Sequence, residues 1–486
     1  MQVEYNRRFL WIAILFLMLA KGFSASAQCQ IKTLTNGMTI CLNPIEYEED
    51  ISIILAYRAG ANSQTASTAG LFKLLEYVLF NGPAANPGIP EPAAAIDVLE
   101  AENIRGGVGI DRFEFGIMFK KENLIPALDT LLYLFSRERT EFILAQIDGI
   151  ELAKRSVLAL IQNETYDNDL LSSMAINKKL FSKAPFRTDI LGAENILEKA
   201  DAAQLKNIAS SWLVPNNACL AISGAFDSSQ VMNLIEERFG LLPKAKNPWP
   251  ANLPSFPRPG VTKPIFLVLP DNSIPADHIQ IEMRYRGPDP SDTTSYVAAL
   301  MLEQLVNEPT SRFQTAMLKA MPKGSEPENL RIDYAPAANS SWISVQSIML
   351  AGKKPADTVF AFKEAVRGTE LYMIKANPSY FSASDYERAR QALLEGIMAI
   401  RGDPMRSASH MATLWSWGIP SLIFQESDII MKTGQKEVSQ FVDTYVQKNL
   451  EVVMVRIDPN LYEANKKSFS SYGFETVSAK NASWWR

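Results

Sequence analysis

Histidine is nearly missing from this sequence: His278 and His410 are the only two in 486 residues. A site built on several imidazoles therefore has no place in the first half of the chain. Cysteine is almost as scarce. Cys29, Cys41 and Cys219 form an odd set, so at least one stays unpaired within the chain. No block of Lys and Arg stands out and the formal net charge is −5, which argues against a nucleic-acid surface built on clustered cations. A G-x-x-x-x-G-K-[ST] phosphate loop and a G-x-S-x-G nucleophile elbow are also missing. Gly106, Gly107 and Gly109 precede a strand pattern rather than a helix and read as a turn.

What is present is an ordinary globular composition, 47% hydrophobic and 21% charged, enough for a large core and two or more domains. The one long apolar run is at the start. Arg7 and Arg8 precede residues 9–20, and small residues lead to Ala25-Ser26-Ala27. That order predicts a secretory signal peptide over 1–27, cut before Gln28. A spanning helix needs about 20 apolar residues, more than this run supplies. The chain is expected to be exported, periplasmic or envelope-associated, with no transmembrane segment in its mature form. Export permits a disulfide. The Asn36-Gly37 turn, read as a two-residue hairpin loop, sets Cys41 opposite Lys32 and so argues against a Cys29–Cys41 bridge. Gln28 disfavours lipid attachment at Cys29. Cys41 and Cys219 are expected to be buried and inert.

Seven prolines between Pro243 and Pro264 mark an extended linker. It divides the mature chain into 28–242 and 265–486. Each part opens with β-type alternation (33–43 and 51–57; 264–269 and 278–285) and enters a helix (68–80; 293–306). Each then shows a further strand (113–119; 342–350), long helical patterns (124–136 and 142–162; 356–375 and 383–400) and a closing strand (218–224; 451–457). The shared order predicts an α+β fold: two similar domains related by duplication, each an antiparallel-dominated sheet packed by helices.

The segment 68–83 carries the most information. Thr68 can cap a helix whose apolar face is Leu71, Leu74, Leu75, Val78 and Leu79. Lys73, Glu76 and Tyr77 fall at i, i+3 and i+4 and share another face. Residues 70–82 resemble the helix of the pitrilysin/insulinase family of zinc metallopeptidases, which carries H-x-x-E-H at this place. The likeness continues through the hairpin 34–40, Tyr57-Arg58-Ala59-Gly60, Asp111 within a strand segment 107–118, Pro185-Phe186 and Leu191-Gly192. It goes on through 212–217, 222–224 and the helix 302–313 ending Thr310-Ser311-Arg312-Phe313. Together these motifs cover nearly all of residues 30–480.

The resemblance implies a LuxS/metallohydrolase-like fold and a processing-peptidase-like, two-domain subunit. In that family two histidines and a later glutamate bind zinc, and the motif's own glutamate acts on water. The histidine positions here are Lys73 and Tyr77. The later glutamate falls at Leu160, or at Ala159 if the register slips by one. Only Glu76 is kept. Zinc wants imidazole, thiolate or carboxylate; an ammonium offers no lone pair and leucine is inert. The implied site is degenerate, with no catalytic residue and no zinc, and Glu76 is expected in a salt bridge with Lys73. The family's substrate-holding arginine falls at Leu318 and its tyrosine at Tyr334. The halves would enclose a clam-shell chamber hinged at 243–264.

Some members of the family work in pairs. This chain is therefore expected to be a non-catalytic partner subunit or a peptide- or protein-binding scaffold. The expected partner is a homologous subunit with an intact zinc motif. Two other readings stay open: an active zinc metalloendopeptidase with unorthodox ligands such as Glu76 and Glu164, and a structural envelope protein. Trp415 and Trp417 read as core residues, and Trp484-Trp485, after a polar stretch, as exposed.

Overall fold

The computed structural model describes residues 29–81, 99, 101–249, 260–325 and 330–485. The expected signal segment 1–27, and residues 250–259 of the Pro-rich linker, lie outside the described residues.

The first half supplies strands β1 (Gln30–Thr33), β2 (Thr39–Pro44), β3 (Asp50–Tyr57), β4 (Asn103–Val108), β5 (Phe113–Lys120) and β6 (Ala218–Gly224). They form a six-stranded sheet in the order β1-β2-β6-β3-β5-β4, parallel only where β2 meets β6. The second half supplies β7 (Ile265–Pro270), β8 (His278–Arg286), β9 (Arg331–Ala335), β10 (Trp342–Leu350), β11 (Val452–Ile457) and β12 (Glu475–Thr476). Their order, β12-β7-β11-β8-β10-β9, repeats the first pattern in five strands; only the edge strand at one end differs, β12 coming last in its half and pairing parallel where β1 comes first and pairs antiparallel. Antiparallel pairing again dominates around β8, while β7 lies parallel to both β11 and β12.

The helices that matter most are α1 (Leu71–Asn81), α2 (Ile147–Glu164), α3 (Asn168–Leu180), α4 (Ser228–Phe239), α5 (Thr293–Asn307) and α6 (Pro404–Ser416). Along β3 the two-residue period of a strand sorts the side chains. Ile51, Ile53, Leu55 and Tyr57 pack on the first half's own helices, α1 and α2 among them. Ile54 and Ala56 face the other way, with Cys41, Cys219 and Ala221, into a core shared with the second half. That face is covered by α6, which arrives from the second half and buries Ala408, Met411, Ala412 and Trp415. The exchange is reciprocal: α3, from the first half, packs on the second sheet, with Leu171, Ile176 and Leu180 against Leu267, Leu269 and Met454. Among the described residues the halves thus interlock, each lending a helix to the other's sheet.

Several local expectations change. The hairpin loop between β1 and β2 has three residues, with Gly37 at φ +91° and Leu34 N–H bonded to Met38 O, so Thr33 pairs with Thr39. This bulged turn puts Cys41 opposite Ile31, one place from the expected Lys32. All three cysteines are free; Cys41 and Cys219 are buried with sulfurs 3.8 Å apart, and burial pushes the half-buried Cys29 thiol up to about 12. Gly106 and Gly107 belong to β4 rather than to a turn, and Asp111 sits in the turn after it rather than in a strand. The helix expected over 142–162 is two helices, Arg137–Leu144 and α2, because Gln146 leaves helical backbone at ψ 91°. Trp484 and Trp485 are half-buried: Trp484 donates to Asp189 at 2.7 Å and lies edge-on to Phe186, and Trp485 joins the first half's core. No helix among the described residues is long and apolar enough to cross a membrane.

Candidate functional site

Helix α1 starts where two chain segments cross at very short range. Gly70 has φ +91° and a Cβ there would meet Leu191 O at 2.4 Å; a Cβ on Gly192, at φ +76°, would meet Gly70 N at 2.2 Å. Only glycine fits either place. This crossing explains why Leu191-Gly192 travels with the helix motif although it is far away in sequence. From Leu71 onward the apolar side chains Leu71, Leu74, Leu75, Val78 and Leu79 are buried against the first sheet and α2. That packing holds Lys73, Glu76 and Tyr77 together at the edge of the sheet.

Lys73 Nζ donates to both Glu76 oxygens, at 2.8 and 2.9 Å, and lies 5.2 Å from the centre of the Tyr77 ring. The N–H of Val108, last residue of edge strand β4, donates to Glu76 Oε2 at 2.7 Å. Burial pushes the Glu76 carboxyl above its usual range, against the pull of Lys73 and of the Val108 N–H. The carboxylate is thus committed on both oxygens, to an ammonium and to a backbone donor. Leu160 is half-buried on α2, and Ala159 beside it is exposed. These residues do not fit a zinc ion: Lys73, at a ligand position, presents an ammonium with no lone pair and is spent on Glu76, and neither Leu160 nor Ala159 offers a donor.

Glu164 ends α2 but faces elsewhere. It lines a cavity of about 10 Å³ with Ile161, Ser483 and Trp485, and burial together with nearby Asp189 and Asp167 pushes it up to about 7. Leu318 is 46% exposed on the helix Arg312–Ala320. Tyr334 lies buried in β9 with its hydroxyl donating to Pro288 O at 2.9 Å, and its ring edges Tyr296. His410 is bound to Glu426 at 2.7 Å and His278 to Asp277 at 2.6 Å, both within the second half.

One arrangement went unseen in the sequence. Glu303, on α5, accepts the backbone N–H of Tyr334 in edge strand β9. This copies, in the second half, the bond from Val108 in β4 to Glu76 on α1. Burial pushes Glu303 up to about 7; the Tyr334 N–H opposes the shift, and no lysine stands three residues before it. The signal available was Glu303 itself, a lone acid on the helix that corresponds to α1. A second unforeseen feature is Asp111. It is half-buried at the junction of the halves and accepts from Ala338 N (3.0 Å), Trp417 Nε1 (2.9 Å) and Asn62 Nδ2 (3.1 Å). Burial pushes it up to about 6.

Residues 199–393 match the family described as Peptidase M16 inactive domain, a stretch that begins well after α1. The chain is 21% identical over 280 residues to the mitochondrial-processing peptidase subunit beta of Saccharomyces cerevisiae, covering 56% of this chain and 57% of that one. It is 24% identical over 213 residues to the non-peptidase homologue YmxG of Helicobacter pylori, covering 42% and 46%. It therefore spans about half the length of the curated relatives it matches. Among solved structures, the peptidase M16 inactive domain from Pseudomonas fluorescens superposes with TM-score 0.73 at 15% identity, over 89% of this chain and 98% of that one. The first half of the periplasmic protease PqqL of Escherichia coli gives 0.65 at 15%, over 90% and 93%.

Proposed function

We propose that this chain, a pitrilysin-like homologue of the M16 peptidases, is an exported subunit without peptidase activity or bound zinc that works by holding a peptide or protein. The coarse reading, an M16-like protein of the non-peptidase kind, stands on the family match and on the likeness to YmxG. The finer reading rests on one observation. Both oxygens of the only motif acid left, Glu76, are bonded to Lys73, and one is also bonded to the Val108 N–H.

Mitochondrial-processing peptidase beta is by name one subunit of an assembly, which favours a homologous partner here, one with an intact H-x-x-E-H. The likeness to a periplasmic protease favours the periplasm or envelope as the place of work. An active peptidase using Glu76 with Glu164 is disfavoured, because the two carboxyls serve separate surroundings: one a lysine and a strand end, the other the cavity beside Trp485. Purification from the native host under mild conditions is expected to bring down an intact-motif homologue in near-equal amount. If none accompanies the chain, pairing is overturned.

A further inference from the structure

A cavity of about 760 Å³ runs along the outer side of β1. Among the described residues strand β1 is the edge of its sheet, with β2 on one side only. Leu34 N–H bonds Met38 O, and hydrogen-bonded pairs alternate along an antiparallel ladder. Lys32 and Gln30 therefore spend their peptide groups on β2, while those of Ile31 and Thr33 turn outward toward the cavity. The slot has two unlike walls. On one side Cys29 and Ile31 pack toward the shared core, with Phe424 beside them. On the other side α4 presents Ser229, Asn233 and Glu236, and Glu236 pairs with Lys32.

We infer that this slot takes an extended peptide segment of another protein as an added strand of the first sheet. An open edge supplies backbone donors and acceptors, and the two walls select side chains by their two-residue period. Charge decides what the polar wall accepts. Lys32 and Glu236 neutralise each other, so uncharged polar side chains match that wall, and aliphatic ones match the side of Ile31 and Phe424. A strand of four residues spans about 13 Å, so the segment recognised is about four to six residues long, alternating between Val- and Thr-like side chains. The inference goes beyond the pairing proposed above and holds whether or not a peptidase partner exists.

The probe is fluorescein-labelled Ser-Val-Thr-Val-Thr-Ser amide, followed by anisotropy on the purified chain, beside the same peptide N-methylated at alternate backbone nitrogens. Saturable binding is expected for the first, weakened at least about tenfold in the second, because methylation removes strand donors. Ile31→Pro deletes one outward N–H without touching the ladder to β2 and is expected to weaken binding about 3- to 10-fold. Ser229→Trp, which fills the slot from an exposed position on α4, has to produce a comparable loss with thermal unfolding unchanged. Equal binding of both peptides, no saturation by about 1 mM, or full binding in Ser229→Trp overturns the inference.

Discussion

Glu76 and Glu303 make the same kind of bond in the two halves but have different charged neighbours, Lys73 beside Glu76 and Asp333 and Arg331 near Glu303. Each sits on the helix that flanks its sheet, and each accepts the backbone N–H of an edge strand, Val108 in β4 and Tyr334 in β9. Such a bond gives a strand end a partner that the sheet cannot supply. The second half uses the device with no lysine one turn before the acid; the first half has Lys73. The comparison teaches that the surviving motif acid has an architectural role, accepting the N–H of an edge strand, and that Lys73 is the feature peculiar to the first half.

The comparison breaks most visibly at Glu76. Glu76→Ala removes the acceptor of the Val108 N–H and leaves Lys73 without its partner in a mostly buried place, a loss of about 2–4 kcal/mol in chemical unfolding. If the variant is as stable as the parent, Glu76 clamps nothing. Lys73→Met makes the first half resemble the second. It leaves Glu76 with only its backbone donor, and about 1–2 kcal/mol is expected to be lost at pH 8. The loss shrinks as pH falls and the carboxyl, which burial already pushes up, takes a proton; a loss independent of pH contradicts the ion pair.

Glu303→Gln sharpens the comparison from the other side. Glu303 is held at about 7, above the usual carboxyl range of about 4.3. The folded state therefore binds its proton more tightly, and the stability this adds is complete at low pH and fades as pH rises from about 4 to 7. The amide still accepts the Tyr334 N–H but carries no charge. Glu303→Gln is expected to be more stable than the parent at pH 8 by a few tenths to about 1 kcal/mol, with the difference gone near pH 4. The variant keeps part of the parent's slope through Glu164, at about 7, and Asp111, at about 6. A variant less stable at pH 8 would mean that the charge itself holds β9.

Much of this architecture was legible. The strands at 51–57, 113–119, 218–224, 278–285 and 342–350 show local alternation or apolar runs, and the structure places a strand at each. The Lys73–Glu76 pair follows from helical spacing alone. Harder features depended on contacts distant in sequence. The crossing of α3 and α6 onto opposite sheets is invisible to periodicity, because a helix buried on a foreign sheet has the same apolar stripe as one buried at home. Ser478–Ser483 is polar and suggested an exposed tail. Yet Ala482 and Ser483 are buried, and the partners of Trp484 lie nearly 300 residues away, at Phe186 and Asp189. The hairpin register failed by one residue because Gly37 adds a bulge that the Asn36-Gly37 pair does not announce. Asp111 was placed within a strand, and its tie to Trp417 and Ala338 needed the fold.

The account turns on whether α1 holds a metal. Purified chain incubated with excess zinc, desalted and assayed for metal, beside Glu76→Ala, tests it directly. The account predicts far less than one zinc per chain, with the same residual amount in both proteins. One zinc per chain in the parent, lost in Glu76→Ala, would contradict it.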